Sequence, residues 1–330
     1  MDSLRVVHWN ADSLKGKVSL LRLFLKEQRV DVMLISETHL KSKLQLKIPG
    51  YFVYRQNEVT PQGEAYRGLA VLVKRTLVHQ AVEPKRLDTL YALGVDIQVG
   101  VGEMRLYAAY RAPSRPLRVQ EVRDLLLTAP PTTSTIVAGD LNAKHQAWQN
   151  TTSNTTGEQL VRDASAYDYE IAGPREPTRL DPVGPHRDSV LDIVVYRGLR
   201  APPTQEVLTD LPSDHRPVLL VFREPATTTG PPKSLVHTDW ATFHQTLAAF
   251  VRPALVKTPE EVDAAADEIS RALQTALRAS TSTRPRSERQ DPLPHRIRKM
   301  LEEKREANKL WQRTRHPRDK SPVQPSHQQG

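Results

Sequence analysis

Five strand-like runs of this chain end in, or begin after, side chains that can bind a cation or move a proton. Asn10 follows Leu4 to Trp9 (LRVVHW), and Glu37 follows Asp31 to Ser36 (DVMLIS). Tyr110 closes the run from Met104, Asp140 and Asn142 follow TIVAG, and Asp214 with His215 precede Val218 to Phe222. Each has a plain structural alternative: Asn10 as a turn residue or helix cap, Glu37 as a loop cap, Asp140-Leu-Asn142 as a tight turn, Tyr110 as a core aromatic with a satisfied hydroxyl. Jointly they have a chemical meaning. A carboxylate at a strand end, an amide and a second carboxylate nearby, and no thiolate anywhere form a hard-oxygen donor set suited to Mg²⁺ or Mn²⁺. Magnesium shares its remaining positions with water and substrate phosphate, so a phosphate ester is the matching substrate. Hydrolysis then needs a positioned water, a carboxylate to orient or deprotonate it, and donors around the phosphoryl oxygens. Asp140, His215, Asn142 and Tyr110 are the candidates.

The elements that must hold these groups alternate in type. Leu4 to Trp9 reads as a strand, Gly16 to Gln28 as a helix with Val18, Leu21 and Leu25 on one face, and Asp31 to Ser36 as a buried strand. Further strands are predicted at 51–55, 69–74, 90–99, 104–110, 135–138, 190–196, 205–209 and 218–222, with helices at 117–127 and 157–166. A stretch rich in Pro and Thr, REPATTTGPPKS, places a domain boundary near Phe222. The organisation expected is a catalytic domain over 1–223, a linker over 224–238, a helical region over 239–316 and a disordered tail over 317–330. Within the helical region, Thr258-Pro-Glu-Glu261 reads as a capping box opening a helix with Val262, Ala266, Ile269, Leu273 and Leu277 on one face.

Composition narrows the chemistry. The chain has 330 residues and no cysteine, which removes disulfides, zinc-thiolate sites and thiol nucleophiles. No apolar run approaches the roughly 20 residues that span a bilayer, and the first strand leaves no room for a signal peptide, so an intracellular chain with no membrane partner is expected. The formal net charge is +9. Residues 1–223 hold 29 basic and 25 acidic side chains, whereas residues 284–320 hold 13 and 6. That basic tail suggests a polyanionic partner such as nucleic acid; a solvated mixed-charge helix that needs no partner is the alternative.

The segments VVHWNADSL, LISETHL, YAAYRAP, IVAGDLNAKHQAW, SVLDIVV and LPSDHRPV occur in this order. Together they resemble the successive motifs of the endonuclease/exonuclease/phosphatase superfamily, over about residues 1–223. ISETHL and GDLNAKHQAW are similar more narrowly to the apurinic-endonuclease-like endonuclease of jockey-type non-LTR retrotransposons. The segment from Asp291 onward resembles the stretch that precedes their reverse transcriptase. No aromatic-x-Asp-Asp motif or cysteine-histidine knuckle is found, so polymerase activity is not expected of this chain.

The resemblance implies an α/β fold with a two-layered β-sandwich flanked by helices, DNase I-like, followed by a helical basic tail. It implies nicking of double-stranded DNA with Mg²⁺, Mn²⁺ being an alternative, to give a 3′-hydroxyl that primes reverse transcription, a function exercised in the nucleus. It also implies roles: Glu37 as principal metal ligand with Asn10 helping to place metal or phosphate, Asp140 positioning or deprotonating water, and His215 at the scissile phosphate. Asp192 orients His215, Asp214 lies beside the metal or leaving group, and Asn142 and Tyr110 surround the phosphate. His145, Trp148, Arg111 and Arg187 are candidate DNA contacts, and element RNA is a candidate partner of the basic tail. The rivals are another superfamily phosphoesterase, such as an abasic-site endonuclease, and an inactive nucleic-acid-binding relic.

Overall fold

The structure is a computed structural model and describes residues 3–85, 87–181, 187–229, 234–250, 258–285 and 295–315. Its elements in chain order are β1 (Leu4–Asn10), α1 (Val18–Glu27), β2 (Val32–Ser36), β3 (Tyr51–Val59), β4 (Ala65–Lys74), β5 (His79–Ala81), β6 (Tyr91–Val99), β7 (Gly102–Tyr110), α2 (Val119–Leu127), β8 (Ser134–Asp140), a 3-10 turn (Gln146–Trp148), α3 (Thr155–Tyr167), β9 (Glu170–Ala172), β10 (Asp192–Arg197), β11 (Thr204–Val207) and β12 (Val218–Phe222). After these come β13 (Ser234–Thr238), α4 (Trp240–Phe250), α5 (Pro259–Ser280), β14 (Thr281–Pro285) and α6 (His295–Thr314).

The first twelve strands form two six-stranded sheets, ordered β11-β12-β1-β2-β4-β3 and β5-β6-β7-β8-β10-β9. Successive strand residues face opposite ways, so a strand buried on both faces feeds two cores. Leu4 and Val6 of β1, Val32 and Leu34 of β2, Leu106 and Ala108 of β7 and Ile136 and Ala138 of β8 fill the layer between the sheets. The opposite faces pack against helices: Val7, Trp9, Met33 and Ile35 meet Leu21, Phe24 and Leu25 of α1, while Tyr107, Val137, Ile193 and Val195 meet Val122, Leu125 and Leu126 of α2 and Leu160 of α3. The result is the expected two-layered sandwich flanked by helices. Burying each such aliphatic side chain contributes roughly 1.5–3 kcal/mol, which is why both faces of the central strands read as near-continuous apolar runs.

Past Phe222 the chain departs from the sequence reading. The expected linker over 224–238 is partly paired: Val78 N–H donates to the Thr227 carbonyl at 3.0 Å, Thr227 N–H donates to that of Gln98 at 2.8 Å, and Thr229 N–H donates to that of Thr76 at 2.7 Å. Threonine suits a strand edge as well as a loop. The expected all-helical region contains a strand pair, β13 with β14, in a separate unit over 230–292 that also holds α4 and α5. In that unit the capping box is present at Thr258 and Glu261. On α5 the apolar residues Val262, Ile269, Leu273 and Leu277 are exposed, and Ala272, Ala276 and Ser280 are buried. Helix α6 belongs to the first unit, not to the helical region before it. The tail over 317–330 lies outside the described residues. Among those described, no helix is long and apolar enough to cross a membrane.

Candidate active site

Strand direction and side-chain parity bring the chemical groups to one rim. β1 runs parallel to β2 and β7 parallel to β8, and a hydrogen bond between Asn10 and Asp140 across the sheets shows that the four strands end at the same edge. β12 is antiparallel to β1 and β10 to β8, so those two strands begin there. Register completes the gathering: Asn10 lies opposite Ser36, Tyr110 opposite Asp140, and Asp192 opposite Asp140. Asn10, Tyr110, Asp140 and Asp192 also share the parity of the residues between the sheets, so they point inward where that layer opens. Gly139 makes the approach of β7 and β8 possible. It has φ +151°, and a Cβ there would lie 2.0 Å from the carbonyl oxygen of Ala109.

Two hydrogen-bonded groups meet at the rim. In the first, Asn10 Nδ2 donates to Glu37 Oε1 at 2.8 Å and to Asp140 Oδ2 at 3.0 Å, tying together carboxylates from opposite sheets. The Asn142 N–H donates to Asp140 Oδ1 at 2.9 Å, and the Tyr110 hydroxyl hydrogen-bonds Glu37. Glu37 and Asn142 both adopt positive φ, +50° and +49°, a backbone cost that neighbouring contacts must hold in place. Burial works against the Glu37 carboxylate, but hydrogen bonds from His39, Asn10 and Tyr110 outweigh it and hold the group below its usual range. Asp140 goes the other way, to about 7, because burial outweighs the nearby His215.

The second group is a histidine–aspartate dyad. His215 Nδ1 bonds Asp192 Oδ2 at 2.7 Å, and its Nε2 lies 3.7 Å from Asp140 Oδ2. Burial disfavours the imidazolium, but Asp192 and Asp140 overcome that and raise it to about 10. The same attraction to His215 holds Asp192 low despite complete burial. His215 is therefore a cation at neutral pH. Its backbone is fixed too: Trp9 Nε1 donates to the His215 carbonyl at 3.2 Å, and the Ser213 hydroxyl, which donates to the Asn10 carbonyl at 2.9 Å, accepts from His215 N–H at 3.1 Å.

The other sequence candidates fall outside this cluster. Asp214 is half-exposed, with Arg179 Nε at 3.5 Å and a bond from Ser213, so it stands at the edge of the hydrogen-bonded acids. Arg111 is buried and spends its guanidinium on the carbonyls of Leu141 at 2.6 Å, Asn142 at 3.0 Å and Ala112 at 3.1 Å, so it braces the Asp140 loop instead of presenting charge to DNA. Trp148 is 1% exposed and donates to the Ala143 carbonyl at 3.1 Å, which makes it a packing anchor with no free ring face. His145 accepts the Ala147 N–H through Nδ1, 3.1 Å away, and caps the 3-10 turn. Arg187 is exposed.

Several participants carry no sequence signal of their own. Thr178 lies in an irregular loop, yet its hydroxyl accepts the N–H groups of Leu191 and Asp192, both at 3.1 Å. His8 is buried with Nδ1 3.9 Å from Asp192 Oδ1, and burial lowers it to about 4, so it is neutral. Lys17 has Asp12 and Asp214 among its charged neighbours. The parity of β1 would have pointed to His8; nothing local would have pointed to Thr178.

Oxygen donors gathered around an ionised, partly exposed Glu37 fit a hard divalent cation that shares its shell with substrate. Among the described residues, no three His, Asp or Glu side chains form a closed metal cluster. An open site of one or two carboxylates is what magnesium commonly uses.

Comparison with known proteins agrees with this fold. The Endonuclease/Exonuclease/phosphatase family profile matches residues 7–215. The chain is 28% identical over 292 residues to the probable RNA-directed DNA polymerase from transposon BS of Drosophila melanogaster, covering 87% of this chain and 32% of that protein. It is 27% identical over 327 residues to the corresponding protein of transposon X-element from the same organism, covering 97% and 36%. The chain thus spans about a third of the length of these relatives. In fold it is similar to the endonuclease domain of TRAS1, a telomere-specific non-LTR retrotransposon, with 19% identity, a TM-score of 0.55 and coverage of 67% of this chain and 99% of that one. It is also similar to the catalytic domain of Xenopus laevis APE2, with 15% identity, a TM-score of 0.50 and coverage of 69% and 94%. With a profile match over more than half its length, the chain belongs to the endonuclease/exonuclease/phosphatase family.

Proposed function

We propose that this chain is a metal-dependent phosphodiesterase that nicks double-stranded DNA and leaves a 3′-hydroxyl, the end a mobile element needs to prime reverse transcription. The observation that carries the reading is the meeting of the Asn10–Glu37–Asp140 network with the His215–Asp192 dyad at one rim. Glu37, with Asn10 beside it, would hold Mg²⁺, which when bound supplies charge stabilisation at a phosphoryl oxygen. Asp140 orients the attacking water and takes its proton as the new O–P bond forms and the P–O3′ bond breaks; the departing oxygen then takes a proton from solvent. His215, kept cationic and aimed by Asp192, faces the phosphate through Nε2. Asn142 donates to a phosphoryl oxygen, its amide being oriented by its 2.8 Å bond to the Arg111 carbonyl, and Tyr110 lies beside the phosphate. Such donors act most strongly in a site withdrawn from water. The similarity to RNA-directed DNA polymerases of mobile elements supports the priming role.

The test is conversion of supercoiled plasmid to open circles with Mg²⁺, with Mn²⁺ and with EDTA, alongside a duplex carrying one abasic site. Nicking of intact plasmid that EDTA abolishes is expected. Cleavage confined to the abasic duplex would transfer the reading to abasic-site repair, and nicking that persists in EDTA would remove the metal from it.

A further inference from the structure

Helix α6 is basic in sequence but is placed by its polar face. Arg305, Asn308, Lys309 and Gln312 follow spacings of three, one and three, so they share one side of the helix. That side lies on the nuclease unit: Asn308 is 9% and Gln312 2% exposed, and Leu301 packs against the core between α1 and its sheet. Lys309 Nζ lies 2.9 Å from Asp210 Oδ1 and Arg305 Nε 3.6 Å from the same oxygen, while Arg305 also pairs with Glu27 at the end of α1. Arg216 Nη2 donates to the Gln312 carbonyl at 3.3 Å, and Asn308 Nδ2 to that of Thr209 at 3.5 Å. Arg315, just past the helix, donates to Asp188 Oδ2 at 2.9 Å.

The partners of α6 are not scattered. Thr209, Asp210 and Arg216 bracket the loop that presents Asp214 and His215, and Asp188 lies just before Asp192. Asp210 is 8% exposed, so its cations compensate a buried carboxylate, and removing them leaves an uncompensated charge. We propose that α6 is a positioning strut: by gripping Asp210 and Asp188 it fixes the two loops that align the His215–Asp192 dyad. The proposal rests on the nuclease reading for its kinetic consequence, but the strut itself is a structural claim. The competing role for these cations is to bind nucleic acid.

Asp210→Asn separates the two with opposite signs. A strut loses its grip and the catalytic loop loosens, whereas a DNA-binding face gains free cations and binds more tightly. Hydrogen–deuterium exchange on the full chain should show amides of residues 208–217 exchanging about tenfold faster in Asp210→Asn and Lys309→Met, since local opening free energy sets exchange. Plasmid nicking should lose about tenfold in kcat with KM nearly unchanged, the pattern of disturbed alignment. Should Asp210→Asn fail the melting test for folding, Arg315→Gln probes the same grip from the Asp188 side. Unchanged exchange in folded variants overturns the strut; a lower KM in Asp210→Asn with kcat intact assigns these cations to DNA. If the unaltered chain nicks nothing, the nuclease reading fails and the exchange arm alone decides the strut.

Discussion

The rim of the sandwich and helix α6 both concentrate charge, and they hold it in opposite ways. At the rim, Asp140, Asp192 and His215 are buried together, and their protonation is displaced because desolvation and mutual attraction compete at close range. Along α6, Arg305, Lys309 and Arg315 each find an acid on the nuclease unit, while Arg296, Lys299 and Arg313 are exposed. In the proposed reading, charge at the rim serves transition-state chemistry and charge on the helix serves holding. A formal count of +7 over residues 284–320 therefore overstates what this segment offers a polyanion.

The largest effect that can break this contrast is loss of a rim group. Glu37→Ala, Asp140→Ala and His215→Ala should each slow nicking by on the order of 100-fold or more while leaving the circular dichroism spectrum native. Near-native nicking by any of the three would strip that residue of its role. Next in size is Asp192→Asn. It acts through His215, so adding it to His215→Ala should slow nicking little further. Additive losses would mean that the two groups work separately.

A smaller, stability-based effect sharpens the same contrast. In metal-free protein the folded-state pKa of His215 lies above its ordinary value of 6.5, at about 10, so its pairing stabilises fully below pH 6.5 and is lost as pH rises through 10. Asp192 is depressed, so its share is present above its ordinary value and lost as pH falls. The melting-temperature gap between the wild type and Asp192→Asn should accordingly be widest near pH 5 to 6.5 and shrink toward pH 10. A gap that does not change with pH would deny the ion pair. The smallest effects belong to the exposed cations of α6: Arg296→Gln, Lys299→Gln and Arg313→Gln should shift stability by less than about 0.5 kcal/mol. If those side chains touch DNA, each lost phosphate contact should lower the slope of log affinity against log salt by about 0.9.

Much of the rim was legible because β-strand parity and strand-end polar residues are local signals. LRVVHWN places Asn10 on the inward parity of β1, and TIVAGD does the same for Asp140 on β8. What escaped was set by tertiary context. Arg111 follows Tyr110 as a DNA-contacting cation would, but two carbonyls of the Asp140 loop and that of Ala112 claim it. Thr178 sits where no periodicity exists. The docking face of α6 is polar, so it does not stand out in a helix that is polar all round, and a reader of charge alone sees a ligand for nucleic acid. The strands β13 and β14 are short and rich in Ser and Thr, and nothing in such a run distinguishes a strand from a linker.

The central claim, that the rim cuts DNA to leave a priming end, is tested most directly on the nick itself. A supercoiled plasmid is treated with the full chain and Mg²⁺, and the product is offered to a DNA polymerase with labelled nucleotides, with and without prior phosphatase. Label should enter the nicked circles equally well without phosphatase, and none should enter after treatment with His215→Ala protein. Incorporation that requires phosphatase would show a 3′-phosphate end, contradicting both the bond assigned to breakage and the priming role.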